Sequence, residues 1–160
     1  PGLNARPENA TDIQQPMRVV VDSALRCTPT AQLFSIPGPV TILHSRGLSA
    51  AAAALKAVGA NVVKVAAENG RVSLADTLAL LAEQSINDVW VEAGPTLNGA
   101  LLYAGMIDEL IVYQAPNILG TDGQGMFAIQ PLESMQNRSE FNLIDVRRVG
   151  VDVRMTYRPE

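Results

Sequence analysis

The stretch that decides the predicted fold reads Asn87-Asp88-Val89-Trp90-Val91-Glu92-Ala93-Gly94-Pro95-Thr96-Leu97-Asn98-Gly99-Ala100. Residues 89–91 are strand-forming and uncharged, as expected of a strand that is covered on both faces. Glu92 ends this run, Gly94 offers backbone freedom that a Cβ would obstruct, and Pro95 suits the first position of a helix. The stretch therefore predicts a buried strand, an acid, a glycine turn and a helix start.

The predicted helix start is a candidate anion site. The N–H groups of Thr96, Leu97 and Asn98 would point out of the helix, where the amides and the helix dipole both favour negative charge. An ordinary well-capped turn from strand to helix would have the same sequence. The motif is not a G-x-G-x-x-G fingerprint, so it does not support a Rossmann assignment.

Further strands are predicted at 17–22, 40–44, 61–65 and 108–115, with helices at 47–58 and from Ser73. Two alternating runs, 141–148 and 151–157, flank Gly150 as an antiparallel hairpin would. Strand–helix alternation that ends in a hairpin predicts an α/β fold with a mixed, mostly parallel sheet, and residues 1–160 are expected to form a single domain.

Composition excludes several classes of protein. The chain has 160 residues and a net charge of −4, so a broad basic surface for nucleic acid is not expected. One cysteine allows no internal disulfide, no metal site is predicted, and no apolar run reaches the length of a membrane span. The start is polar and lacks Met, so we expect the numbering to begin inside a longer chain.

Several blocks together resemble one known family. They are Val89 to Leu102, then Asp108-Glu109-Leu110, Ala115-Pro116 and Leu119-Gly120, with Arg18 to Ser23 and Pro1 to Arg6 earlier in the chain. In this order they resemble the reductase domain of the bifunctional riboflavin-biosynthesis deaminase/reductase. The block Glu92-Ala93-Gly94-Pro95-Thr96-Leu97-Asn98-Gly99-Ala100 is the most specific, although Ala93 stands where many relatives carry a second glycine.

The resemblance implies a dihydrofolate-reductase-like, three-layer α/β fold and the use of NADPH. The implied reaction reduces the ribosyl group of 5-amino-6-(5-phosphoribosylamino)uracil to a ribityl group, with hydride passing from the nicotinamide to C1 of the opened sugar. It also implies a cytoplasmic homodimer and a small phosphorylated pyrimidine as substrate. Charge and hydropathy predict neither nucleic acid nor membrane as a partner.

The resemblance also implies the site residues. Leu3, Arg6 and Glu92 would line the substrate site, with Arg6 on the substrate phosphate. Ser23 would touch the cofactor. The remaining cofactor-binding residues would be Gly94, Pro95, Thr96, Leu97, Asn98, Gly99 and Ala100. No residue is assigned as the catalyst, because the nicotinamide itself carries the hydride.

A second cofactor contact is predicted from the residues alone. Ser45 and Arg46 follow the strand at 40–44, and a hydroxyl beside a guanidinium is suited to the adenosine 2′-phosphate that distinguishes NADPH from NADH. An ordinary loop arginine is the alternative for Arg46. His44 lies next to the pair and is expected to be structural.

Two departures from the family pattern leave alternatives open. The zinc deaminase domain is not represented, since one histidine and one cysteine cannot supply its ligands. The opening strand and helix of the reductase domain are expected upstream of Pro1. If that segment were truly lacking, a noncatalytic nucleotide- or sugar-phosphate-binding module would be favoured. A related enzyme acting on another pteridine or pyrimidine is the third possibility.

Overall fold

The computed structural model describes residues 2–5 and 13–160, and the chain divides into two compact units, Pro1–Trp90 and Val91–Glu160. The elements of the first unit are β1 (Arg18–Val21), β2 (Val40–His44), α1 (Ser49–Ala57), β3 (Asn61–Lys64), β4 (Ala67–Glu68), β5 (Arg71–Val72) and α2 (Leu74–Glu83). Those of the second are α3 (Pro95–Tyr103), β6 (Leu110–Gln114), β7 (Phe141–Val149) and β8 (Asp152–Pro159). The prediction that 1–160 form one domain stays a prediction.

The first unit is organised by β2. This strand lies between β1 and β3 and pairs with both in parallel, and all five of its residues are buried. On one face Ile42 packs in a cluster with Leu55 of α1, while on the other Leu43 packs with Val65 and Val72. The run of apolar residues at 40–43 is therefore explained by burial on both faces.

Arg18 is the largest buried polar residue of this unit, with 2% of its surface exposed. Its guanidinium donates to the carbonyl oxygens of Leu33 (2.6 Å), Ile36 (3.0 Å), Pro37 (3.1 Å) and Gly38 (2.7 Å). A buried charge is tolerated only where hydrogen bonds replace its hydration. One side chain of β1 thereby holds the loop that leads into β2.

The predicted end of α1 and the predicted start of α2 are confirmed, whereas α1 begins at Ser49, two residues later than predicted. Gly59 follows α1 with a φ of +89°, the left-handed conformation that favours glycine after a helix. The Ser73 hydroxyl accepts a hydrogen bond from the backbone N–H of Asp76 (3.3 Å) and so caps α2. The predicted strands at 17–22, 40–44 and 61–65 correspond to β1, β2 and β3.

The second unit contains the predicted C-terminal hairpin. β7 and β8 pair antiparallel, and β8 also pairs with β6, giving the order β6-β8-β7. Gly150 closes the hairpin with a φ of +61°, and the register of β7 shifts between Leu143 and Asp145. The predicted α/β class, with both parallel and antiparallel pairing, is confirmed.

The strand predicted at the opening stretch is wrong. No strand forms between Glu83 and Pro95, and Val89, Trp90 and Val91 are 46%, 70% and 46% exposed. A strand exists only where a neighbouring ladder pairs its N–H and C=O groups, and no described segment pairs with this one. Strand propensity alone therefore misled the prediction of a buried strand.

The conformational role predicted for Gly94 is also wrong. Gly94 has a φ of −83°, which any residue adopts, and a Cβ built there would meet nothing within 4 Å. Gly99 is the sterically demanding position, since a Cβ would lie 2.3 Å from the carbonyl oxygen of Ala128. Pro95 does open α3, as predicted.

None of the helices in the described ranges is long and apolar enough to cross a membrane.

Replacing Arg18 with Met is expected to destabilise the protein by about 3 kcal/mol or more, because four carbonyl groups around the buried site lose their donor. Urea denaturation followed by circular dichroism measures the change. Arg71→Met is the matched control, since Arg71 is exposed on β5 and is expected to change stability by less than about 0.5 kcal/mol. Equal stabilities of the two variants would contradict the role given to Arg18.

Gly99→Ala is expected to destabilise the second unit by about 1–3 kcal/mol, because the new methyl group must displace the backbone at Ala128. Gly94→Ala adds the same methyl group in open space five residues earlier and should leave stability nearly unchanged. Thermal unfolding of the two variants side by side provides the measurement. A larger loss for Gly94→Ala would refute the packing argument.

Candidate functional site

The carboxyl ends of β1, β2 and β3 form one edge of the parallel sheet, the usual position of ligands in open α/β sheets. The ladder continues past the strands. Ser45 N–H donates to the Ser23 carbonyl (3.3 Å), Arg46 N–H donates to the same oxygen (2.9 Å), and Val65 N–H donates to the His44 carbonyl (2.8 Å). The structure therefore brings the backbones of Ser23, Ser45 and Arg46 together at this edge.

The side chain of Ser23 has a partner within its own unit. Its hydroxyl accepts a hydrogen bond from the backbone N–H of Val72 (3.0 Å) and so ties the end of β1 to β5. A hydroxyl can still donate its own hydrogen to a ligand while it accepts this bond. The predicted contact of Ser23 with a cofactor stays a prediction.

Ser45 and Arg46 lie in different environments. Ser45 is 8% exposed, and its hydroxyl has no hydrogen-bond partner among the described residues. Arg46 is exposed to solvent and begins the loop that leads to α1. Of the predicted pair, only the guanidinium of Arg46 is open to a ligand in this conformation.

His44 is confined by its neighbours. Its Nδ1 accepts a hydrogen bond from the Gly47 N–H (3.2 Å), and a Cβ at Gly47 would lie 2.3 Å from Leu25 and 3.0 Å from that nitrogen. Burial lowers the pKa of His44 from its ordinary value of 6.5; Lys64 and Lys56 lower it further, and Asp22 opposes them. His44 is therefore neutral at pH 7 and shapes the loop, as expected for a structural histidine.

Cys27, the lone cysteine, is not an activated nucleophile. Burial and the neighbouring Asp22 both raise the pKa of its thiol. The thiol therefore stays protonated at neutral pH, whereas a nucleophilic cysteine needs the opposite shift.

The start of α3 remains a candidate anion site in the second unit. Asn98 N–H makes the first helical bond, to the Gly94 carbonyl (3.2 Å), so the N–H groups of Thr96 and Leu97 have no intrahelical acceptor. No side chain caps this end, and its first turn carries no acid. An anionic group such as a pyrophosphate fits these donors.

Three of the predicted cofactor residues also hold the second unit together. The Asn98 amide nitrogen donates to the carbonyls of Ala93 (3.3 Å) and Met126 (3.1 Å), and Ala128 N–H donates to the Pro95 carbonyl (2.9 Å). Gly99 admits this crossing because it has no Cβ. Sequence reasoning missed this contact, since nothing in the glycine-rich stretch 120–125 indicates that the chain returns to α3.

The predicted substrate residues are only partly described. Glu92 is exposed and lies in the irregular segment that precedes α3, so its carboxylate is available for hydrogen bonds. Leu3 is half-buried with a φ of +50°, and its neighbour Ala5 is held by two hydrogen bonds to the Gln15 amide (3.0 and 3.2 Å). Arg6 lies outside the described residues.

Comparison with known proteins identifies relatives over most of the chain. RibD of Escherichia coli (strain K12), a riboflavin biosynthesis protein, is 37% identical over 89% of this chain and 38% of its own length. A protein of Buchnera aphidicola subsp. Acyrthosiphon pisum, named 5-amino-6-(5-phosphoribosylamino)uracil reductase, is 30% identical over 92% of this chain and 69% of its own. This chain spans less than half the length of the first RibD relatives it matches, 38% and 44%.

Solved structures agree with these matches. RibD of Acinetobacter baumannii superimposes with a TM-score of 0.78 at 31% identity, over 99% of this chain and 43% of that one. A deaminase/reductase of Thermotoga maritima gives 0.72 at 19% identity, which bears on the fold alone. The dihydrofolate-reductase-like α/β fold expected from the resemblance is thereby confirmed. The family model of the RibD C-terminal domain matches residues 1–155, and the chain belongs to that family.

Proposed function

We propose that this chain is the reductase part of a riboflavin-biosynthesis enzyme. It reduces the ribosyl side chain of 5-amino-6-(5-phosphoribosylamino)uracil to the ribitylamino product, with NADPH as the hydride donor. The observation that carries the proposal is the relative named for this reductase activity, which matches 92% of this chain and 69% of its own length. The noncatalytic binding module has no comparable support.

A second candidate substrate follows from another relative. A Methanothermobacter thermautotrophicus protein named 2,5-diamino-6-ribosylamino-4(3H)-pyrimidinone 5′-phosphate reductase is 32% identical over 79% of this chain. Its named substrate carries the same ribosyl phosphate on a different pyrimidine. The reaction type is common to both candidates, so the pyrimidine ring is what the assay must distinguish.

The protein's part in such a reaction is to bind and orient, because bound NADPH supplies the hydride. The open N–H groups of Thr96 and Leu97 are suited to the pyrophosphate of the cofactor. Arg46 is suited to its 2′-phosphate, with Ser23 and Ser45 alongside at the end of the parallel strands. These assignments rest on the chemistry of the donor groups.

Substrate binding is assigned to Leu3, Arg6 and Glu92. The exposed carboxylate of Glu92 can accept hydrogen bonds from the hydroxyl groups of the opened sugar. Arg6 would pair with the substrate phosphate through its planar guanidinium. A homodimer in the cytoplasm, with a deaminase domain fused to the reductase in the parent chain, completes the proposal.

The activity is tested by following loss of NADPH absorbance when the purified protein is mixed with each of the two candidate pyrimidine phosphates. Faster oxidation with 5-amino-6-(5-phosphoribosylamino)uracil is expected. Binding of NADPH without oxidation in either mixture would instead indicate the noncatalytic binding module.

Glu92→Gln should lower kcat/KM by roughly tenfold in the same assay, because an amide replaces a charged acceptor. Full turnover by Glu92→Gln would show that Glu92 is not part of the substrate site.

The Arg46→Ala variant tests the 2′-phosphate contact. Loss of a charge-assisted contact should reduce the ratio of kcat/KM for NADPH over NADH by about tenfold or more. Steady-state kinetics with the two cofactors measures the ratio. Arg26→Ala is the control, because Arg26 is also exposed in the first unit and should leave the ratio unchanged. An unchanged ratio for Arg46→Ala would assign the phosphate to other residues.

A further inference from the structure

The pairing of β2 with β3 places Lys64 beside His44, which lies two residues before the candidate phosphate contact Arg46. His44 and Lys64 are register partners at the ends of these parallel strands, so their side chains point to the same face, about 4.8 Å apart along the sheet. Val20, Ile42 and Val62 lie on that face and pack in one cluster with Leu55 of α1. Lys64 is therefore on the α1 side of the edge.

Ser45, the residue that follows β2, is less accessible than Lys64. Ser45 is 8% exposed and its hydroxyl is buried, whereas Lys64 is exposed at the end of β3. A ligand at the ends of β2 and β3 therefore reaches the side chain of Lys64 more readily than the hydroxyl of Ser45.

The start of α1 adds donors to the same region. Leu48 precedes the helix without a side-chain cap, and the first turn carries no acid. Ala52 N–H makes the first helical bond, to Leu48, so the earlier N–H groups have no intrahelical acceptor. Arg46 lies two residues before Leu48 in the loop that leads into this helix.

The charges that surround this position are mixed but favour an anion. Lys64 and Lys56 both act on His44, which is neutral, and Asp22 opposes them. One oxygen of the buried Asp22 carboxylate accepts a hydrogen bond from the Cys27 N–H (2.6 Å), and the other lies 3.9 Å from the exposed Arg26. Arg46 and Lys64 are left as exposed cations at the end of β2 and β3.

We infer that Lys64 is the second cationic ligand of the phosphate bound at Arg46, with the open N–H groups of α1 completing the site. The ligand is a phosphomonoester, and on the proposed function, on which this inference rests, it is the 2′-phosphate of NADPH. Lys64 is then a specificity residue for the cofactor, together with Arg46.

The test is equilibrium binding of NADP⁺ and NAD⁺ to the purified protein by calorimetry. Lys64→Gln should raise the Kd for NADP⁺ roughly tenfold and leave the Kd for NAD⁺ unchanged, which also shows that the variant is folded. Lys56→Gln is the matched control. It removes the same charge from the last turn of α1, about 10 Å along the helix from its first residue, and should change the Kd for NADP⁺ by less than about twofold.

Every other outcome overturns the inference in a recognisable way. If the wild-type protein prefers NADP⁺ and Lys64→Gln has the same Kd for NADP⁺, Lys64 is not a ligand of the phosphate, and the proposed function still stands. Equal losses of affinity for NADP⁺ in the Lys64→Gln and Lys56→Gln variants would indicate a general effect of positive charge, without direct contact between Lys64 and the phosphate. A raised KM for the pyrimidine phosphate alone places Lys64 at the substrate instead. A wild-type protein that binds neither nucleotide overturns the proposed function as well.

Discussion

The buried guanidinium of Arg18 is the interaction on which the first unit depends. Its cost of desolvation is offset by four backbone carbonyls between Leu33 and Gly38, and not by a carboxylate among the described residues. The backbone N–H of Arg18 also donates to the Pro39 carbonyl (3.0 Å). One residue therefore fixes both the loop before β2 and the register of β1 against it. Because β2 is the central strand, the loop that follows it and contains Arg46 takes its position from the same constraint.

Much of the secondary structure of the first unit could be predicted, because residues close together in the sequence specify it. A helix that ends at Gly59 or begins at Ser73 is specified by the few residues that make its caps. A strand buried on both faces is visible as an uninterrupted apolar run, as at β2. The run at 89–91 has the same composition but no ladder partner among the described residues. Composition reports that a segment suits a strand, whereas pairing decides whether one forms.

The limits of the site prediction have a similar origin. Adjacent residues such as Ser45 and Arg46 look like a pair in a sequence, but in the fold Ser45 is buried and Arg46 is exposed. Lys64 and His44 look unrelated at a separation of twenty residues and become neighbours only through the register of β2 and β3. Asn98 and Gly99 illustrate the same point in the second unit. Their contacts with Met126 and Ala128 form because the chain returns to α3, and no local sequence motif predicts that return.

The overall charge of the chain sharpens the argument about anions. With a net charge of −4, the long-range field of these residues does not draw a phosphorylated ligand to the chain. Affinity for a phosphate must then come from short-range donors: the exposed cations at the end of the parallel strands and the uncapped starts of α1 and α3. Such donors act over a few ångströms and are directional, so they can distinguish a phosphate from a hydroxyl at a single position. An acidic chain with a few well-placed donors is therefore better suited to selecting a small phosphorylated ligand than to binding polyanions.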